Sequence, residues 1–193
     1  TCQPKNNDEE LACAKEILTD LARNAYRRPV SEEDWLELSK FFESGLRDEG
    51  FEKGIQLALE RILVAPDFLW RIHRDPENHS PNESYKISDV ELASRLSFFL
   101  WSGAPDDELL SLAEQERLRD PQVLKNQVAR MMSDEKADAF IKNFVGQWLY
   151  LRNLDNVYPL PAAFPEFDDN LRLSFKQETE MFFEEQIRDN HSL

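Results

Sequence analysis

The sequence predicts an all-α protein, a helical bundle of about seven to eight helices that can divide into two packed helical subdomains. Three observations carry that expectation. Glycine is scarce, with 5 residues in 193, while Leu, Glu, Ala, Arg and Lys are abundant; this balance favours helix over a turn-rich β architecture. Apolar residues recur at helical spacing along nearly the whole chain. The stretch Tyr85–Gly103, YKISDVELASRLSFFLWSG, is apolar around most of its circumference, and a helix of that kind must be covered on two sides.

That stretch is the central helix. Ser88 followed three residues later by Glu91 is a capping box at its start, and Gly103 with Pro105 marks its stop. Leu92, Ala93, Leu96, Phe99 and Leu100 fall on one broad face, and Val90, Ser97, Phe98 and Trp101 on a second. The charged strip is narrow and holds Glu91 and Arg95 in the favourable i, i+4 order.

Residues 1–9, at the start of the chain, are polar and contain Pro4, which reads as an irregular arm. A helix over about 10–26 carries Leu11, Ala14, Ile17, Leu18, Leu21 and Ala22 at helical spacing, and Pro29 ends it. Arg27-Arg28 reads either as an anion site or as positive charge matched to the helix C-terminus, with the second favoured. Ser31, with Asp34 three residues on, caps a second helix that stops near Gly50. A third spans about 51–64, and Phe68, Leu69, Trp70 and Ile72 form a short apolar turn or helix after Pro66. Residues 73–84, HRDPENHSPNES, are the most hydrophilic stretch. We therefore expect a small N-terminal helical domain over 1–74 with a cysteine-linked arm, a polar linker over 75–84, and a larger helical domain over 85–193 around the central helix 89–101.

Beyond Gly103, Asp106-Asp107 opens a short helix to about Gln115, and Asp120-Pro121 starts another that runs to about Met132. Ser133 is read as the cap of a continuous helix over about 134–151, with Phe140, Ile141, Phe144, Val145, Trp148 and Leu149 inward. Residues 152–167 form a loop rich in Pro and aromatics that is expected to pack against the bundle. Asp168 caps a final helix to about Asn190, with Phe175, Glu178, Met181, Phe182 and Glu185 on one stripe.

The formal net charge is −15. Such a field repels phosphate backbones and anionic membranes, so nucleic acid is not an expected partner. No apolar run reaches the ~18–20 residues that span a bilayer. The chain begins at Thr1 without Met and shows no signal peptide, which reads as a processed product or an excised part of something longer. Its two cysteines, Cys2 and Cys13, have neither CxxC nor CxxCH spacing, so zinc and covalently held haem are not indicated. An isolated pair bracketing a polar arm points to a disulfide, and with it an oxidising compartment; two unrelated free thiols are the other reading.

Catalytic patterns are missing. There is no GxSxG, HExxH, P-loop, GxGxxG or EF-hand loop, and His73, His79 and His191 are scattered through polar segments. Glu178, Glu180, Glu184 and Glu185 are the most interesting polar set. Carboxylates on a partly apolar face can act as acids or bases. They lack the E-x-x-H pattern of a di-iron bundle and read better as ion-pair partners of Arg172, Lys176 or Arg188. Trp35, Trp70, Trp101 and Trp148 could form a sugar platform but read better as core. No residue is assigned a catalytic, cofactor-binding or metal-binding role.

Several phrases carry a resemblance. Cys13–Pro29, CAKEILTDLARNAYRRP, and Phe51–Arg71, FEKGIQLALERILVAPDFLWR, resemble the first of two adjoining domains. Ser88–Asp107, SDVELASRLSFFLWSGAPDD, Asp138–Leu154, DAFIKNFVGQWLYLRNL, and Phe164–Glu185, FPEFDDNLRLSFKQETEMFFEE, resemble the second. The family is that of large planctomycete-type secreted proteins that carry domains of unknown function beside a cytochrome c module. The resemblance implies a periplasmic or extracellular chain, haem elsewhere in a longer parent, and other domains of that parent as partners. It carries no catalytic or binding residues onto this chain. The expected function is a non-catalytic helical scaffold or docking segment. The alternative is part of an extracellular enzyme or binding module acting on a polymer such as a polysaccharide.

Overall fold

The computed structural model describes residues 2–72, 80 and 84–189. The histidines and the core of the expected linker lie outside the described residues. Every regular element among the described residues is helical. In chain order they are α1 (Asn7–Tyr26), α2 (Glu32–Glu49), α3 (Phe51–Leu63), α4 (Pro66–Leu69), α5 (Asp89–Trp101), α6 (Asp107–Glu114), α7 (Pro121–Ser133), α8 (Asp138–Phe140), α9 (Gly146–Trp148) and α10 (Asp169–Asp189). The all-α class is thus correct. The chain divides into two compact units: unit 1 is residues 1–95 with 104–120, and unit 2 is residues 96–103 with 121–193.

In unit 1, local chemistry sets the helix ends. α1 begins earlier than its apolar pattern, because the Asn6 side chain accepts from the amides of Asp8 and Glu9 at 3.1 and 3.2 Å. Arg27 ends it in a left-handed conformation, φ 58°. Ser31 and Asp34 form the full capping box of α2. Ser88 and Glu91 do the same for α5, each side chain accepting from the other residue's backbone amide at 3.2 Å. Gly50, at φ 94°, joins α2 directly to α3 in a conformation other residues rarely adopt.

α2 and α3 pack most closely of any pair. A Cβ on Gly45 would sit 2.5 Å from the Lys53 carbonyl oxygen, and one on Gly54 would sit 2.7 Å from the Phe42 carbonyl oxygen. The two glycines therefore let backbone meet backbone. Around this crossing the core collects Ala14, Leu18, Tyr26, Leu38, Phe42 and Ile62. Burying a side chain such as Phe42 or Leu18 contributes roughly 1.5–3 kcal/mol each. α6 is tied to α1 by Arg23, whose Nε and Nη2 donate to Glu114 at 2.8 and 3.0 Å and whose Nη1 donates to Asp107 at 2.9 Å. Asp89 is buried at the start of α5 and accepts from the Arg119 amide at 3.2 Å and from its guanidinium. Cys2 and Cys13 are joined by a disulfide, with Cα atoms 5.4 Å apart.

In unit 2 the structure corrects the expected helix over 134–151. Asp134, not Ser133, caps the segment after α7, accepting from the Lys136 amide at 2.8 Å; the Ser133 hydroxyl donates back to the Ala129 carbonyl at 3.0 Å. A 3₁₀ turn (Glu135–Ala137) leads into α8, a π turn (Ile141–Val145) separates α8 from α9, and a second 3₁₀ segment (Leu151–Asn156) comes after α9. The wider π turn changes which side chains face inward. Ala137, Ile141, Val145 and Leu151 are buried, while Phe144, Trp148 and Leu149 are exposed instead of inward. The final helix contributes Phe183 and Ile187 to this small core, and Phe175, Met181 and Phe182 lie outside it.

Two further expectations are revised. Trp101 is buried and its Nε1 donates to the Met131 carbonyl at 2.9 Å. Trp70 and Trp148 are exposed, so core packing does not describe all four tryptophans. The loop after Asn156 does not pack wholly inward: Tyr158, Leu160 and Phe164 are exposed. Arg172 holds its start, donating to the Val157 carbonyl at 2.9 Å and to the Leu154 carbonyl.

Candidate functional site

The most distinctive surface of unit 2 is a run of aromatic rings that begins on α5 and ends on α10. Phe99 meets Phe140 edge-on at 5.0 Å between centroids. Phe140 stacks on Phe144 at 5.2 Å with the planes 6° apart, and Phe144 stacks on Trp148 at 6.0 Å. Trp148 then meets Phe183 edge-on at 6.0 Å, and Phe183 meets Phe182 at 5.6 Å. Phe140, Phe144 and Trp148 are spaced four apart through the π turn, so a single helical strand presents them as a ladder. Aromatic pairs of this geometry contribute about 0.5–1.5 kcal/mol each beyond area burial.

The ladder is not covered. Phe99 is 58% exposed, Phe144 48%, Trp148 61% and Tyr150 72%. Together with Phe98 and Phe140 these rings line a groove of about 580 Å³. Its polar members are Ser102, Asn143 and Gln147. The Asn143 amide donates to the Ser102 hydroxyl at 2.8 Å and accepts from Arg152 at 3.1 Å, so the polar edge is held in place. Tyr150, immediately before the 3₁₀ segment Leu151–Asn156, adopts a left-handed backbone, φ 57°. An apolar surface of this extent with a polar rim is the usual mark of an interaction site.

The glutamates of the last helix do not form one site. Glu184 accepts from Arg188 Nε at 2.9 Å, and Arg188 also donates to the Met132 carbonyl at 3.2 Å and pairs with Asp138. The Glu184 hydrogen bond is the main reason the Arg188 pKa is raised, against the opposing effect of burial. Glu180 and Glu184 line a small hollow of about 310 Å³ with Asp138 and Lys142, and Glu178 and Glu185 lie apart from it. Ion pairing describes Glu184. Among the described residues no group of three or more His, Cys, Asp or Glu is placed to hold a metal ion, and no helix is long and apolar enough to cross a membrane.

Sequence reasoning identifies Phe99, Phe144 and Trp148 as apolar but places them in the core; it assigns no role to Asn143, Gln147 or Tyr150. The signal that could have found the ladder is the spacing Phe140, Phe144, Trp148 in a helix already supplied with Ile141 and Val145 for burial.

No curated protein and no solved structure matches the chain. Two family models match it in tandem. Residues 13–73 match the family described as PSD5, protein of unknown function (DUF1595). Residues 87–193 match the family described as PSD4, protein of unknown function (DUF1592). The second match spans more than half of the chain, and the phrases that carried the resemblance fall almost wholly inside these two ranges: the chain belongs to the DUF1592 family, with a DUF1595 domain directly before it.

Proposed function

We propose that this chain is a non-catalytic helical docking segment of a larger exported protein that also carries a cytochrome c module. The observation that carries the reading is the uncovered aromatic ladder Phe99–Phe140–Phe144–Trp148. Leaving these rings in water is unfavourable, at roughly 25 cal/mol per Å² of apolar surface. A neighbouring domain of the parent chain that covers them recovers that free energy and holds its own position in doing so. The Cys2–Cys13 pairing supports export, since disulfides persist in oxidising compartments. The tandem order of the two family domains supports a multi-domain parent.

The test uses the complete gene product, expressed in a host that matures c-type cytochromes. A Soret band that shifts on reduction is the expected result, and a spectrum without haem overturns the cytochrome association. Hydroxyl-radical footprinting of the same product reads the docking surface. Phe144, Trp148 and Tyr150 are expected to be protected in the full product and reactive in the isolated 193-residue chain; equal reactivity in both overturns the docking role. Alkylation of the exported protein without reductant is expected to leave Cys2 and Cys13 unmodified.

A second reading, a binding module for a polymer such as a polysaccharide, has one specific observation behind it. Trp148 and Tyr150 border the amides of Asn143 and Gln147, a pairing of flat apolar and hydrogen-bonding groups that suits sugar rings. A glycan panel followed by tryptophan fluorescence separates the two: no saturable change across the panel removes the second reading.

A further inference from the structure

The groove along the aromatic ladder differs in chemistry from the rest of the chain. The three longest stretches without Asp, Glu, Lys or Arg are 96–105, 143–151 and 156–165. The first two supply every residue that lines the groove except Phe140, and none of the lining side chains is charged. Arg152 is bound at the polar edge, donating to the Asn143 side-chain oxygen at 3.1 Å. In a chain that is 32% charged, this surface is neutral. A charged occupant gives up hydration there and meets no counter-charge on the groove floor.

The groove is not purely apolar. Gln147, Trp148 and Tyr150 carry N–H or O–H donors, all three are exposed, and their side chains make no hydrogen bond among the described residues. A purely apolar cover buries those donors unpaired, which is costly. The occupant therefore brings acceptors. An α-helix does not, because its carbonyls are bonded within the helix. A β-strand needs a sheet edge, and every regular element among the described residues is helical. A polyproline II segment has no internal hydrogen bonds, so its carbonyls are free, and its prolines bring no N–H that needs a partner. The rings favour the same choice. Phe140 and Phe144 stack with planes 6° apart, which leaves their edges open, and an aromatic edge is partially positive. Proline-rich segments dock in aromatic-lined grooves because their backbone is already set. Centroid steps of 5.0, 5.2 and 6.0 Å carry the ladder from Phe99 to Trp148, a length that about five residues of polyproline II cover at ~3.1 Å each.

We propose that the groove takes an uncharged, proline-rich segment of a partner domain, bound in polyproline II form along Phe99, Phe140, Phe144 and Trp148, with its carbonyls facing the donors of Gln147, Trp148 and Tyr150. This rests on the docking role of the ladder and names the chemistry of what docks. The third uncharged stretch, 156–165, reads NVYPLPAAFP and exposes Tyr158 and Leu160, so a second copy of the chain is the rival occupant. A net charge of −15 on each copy opposes that pairing.

Isothermal titration calorimetry of the full 193-residue chain tests this with four peptides: acetyl-PPLPPLPPL-amide, acetyl-SSLSSLSSL-amide, acetyl-PPLPPEPPL-amide and acetyl-PPLPPKPPL-amide. Saturable binding of the first is expected, with the serine peptide and both charged peptides at least about fivefold weaker. Trp148→Ser is expected to weaken the first peptide about tenfold, and Trp70→Ser, in unit 1, to leave it unchanged. Trp148 is exposed, so folding is expected to survive; Gln147→Ala, expected to weaken binding about threefold, carries the test if it does not. No saturable heat, equal binding of the serine or charged peptides, or native affinity in Trp148→Ser overturns the proposal. Protection of Trp148 in the complete gene product with no peptide heat keeps the docking role and overturns the proline-rich occupant alone. Saturable glycan binding without peptide heat gives the groove to a polysaccharide. A dimer in sedimentation that Trp148→Ser dissociates gives it to a second copy. Either result overturns the proposal.

Discussion

Asp34 shows how much one side chain does in this protein. It accepts from the Ser31 amide at 2.8 Å, closing the capping box of α2, and from both terminal nitrogens of Arg28 at 2.7 and 3.0 Å. The Arg28 hydrogen bond, helped by those from Ser31 and opposed by burial, lowers its pKa to about 2. The ionised form is thus favoured by folding. Its contribution is complete above the ordinary value near 3.8 and is lost as pH falls through about 2. After allowance for solvent screening this amounts to about 1–2 kcal/mol. Asp34→Asn is expected to lower stability by that amount at neutral pH, and the difference from the native chain to shrink between about pH 4 and 2 in urea titrations. A constant difference across that range argues against the ion pair as the source. At Gly54 the expected effect is steric: Gly54→Ala places a methyl 2.7 Å from the Phe42 carbonyl oxygen and ring. Overpacking of this kind costs about 1–3 kcal/mol, although alanine is the better helix former. A melting temperature that rises in Gly54→Ala shows that α2 and α3 separate without penalty.

Among the elements, α6 depends on a contact far away in sequence. Arg23 on α1 grips Glu114 with two parallel bonds and reaches Asp107 and Ser111 as well. Charge-assisted forks are stronger than single bonds. Arg23→Ala is expected to destabilise unit 1 by about 1–3 kcal/mol, and Arg23→Lys to restore only part, because an ammonium cannot make the fork. Full rescue by lysine in chemical denaturation means that charge alone, not geometry, matters there. This bond spans 91 positions and leaves no trace in a local pattern. The capping boxes at Ser31 and Ser88 are readable because partner and cap lie three residues apart. The π turn at Ile141–Val145 is not readable, since periodicity assumes one pitch throughout; the consequence is that periodicity assigns Phe144 and Trp148 to the interior.

For the molecule as a whole, 38 acidic residues against 23 basic ones produce self-repulsion that salt relieves. Raising salt from about 10 mM to about 0.5 M shortens the Debye length from ~30 Å to a few Å. The melting temperature is expected to rise by about 2–4 °C, equivalent to ~1 kcal/mol for a chain of this size. No change, or a fall, shows that the local ion pairs at Arg23, Arg28 and Arg188 outweigh the global field.

The family is legible as a resemblance of longer phrases. Composition, helical spacing and short-range caps are sufficient for the all-α class and for most helix boundaries. Each of these depends on residues within a turn or two of one another, or on sums over the chain. Coverage is different in kind. Periodicity says that a face is apolar, not whether anything lies on it, so Trp101 and Trp148 look alike in sequence and differ in the structure. The spacing of Phe140, Phe144 and Trp148 is local, but only folding brings Phe99 of α5 and Phe183 of α10 against them, because what lies on a face is decided by tertiary packing and not by local pattern.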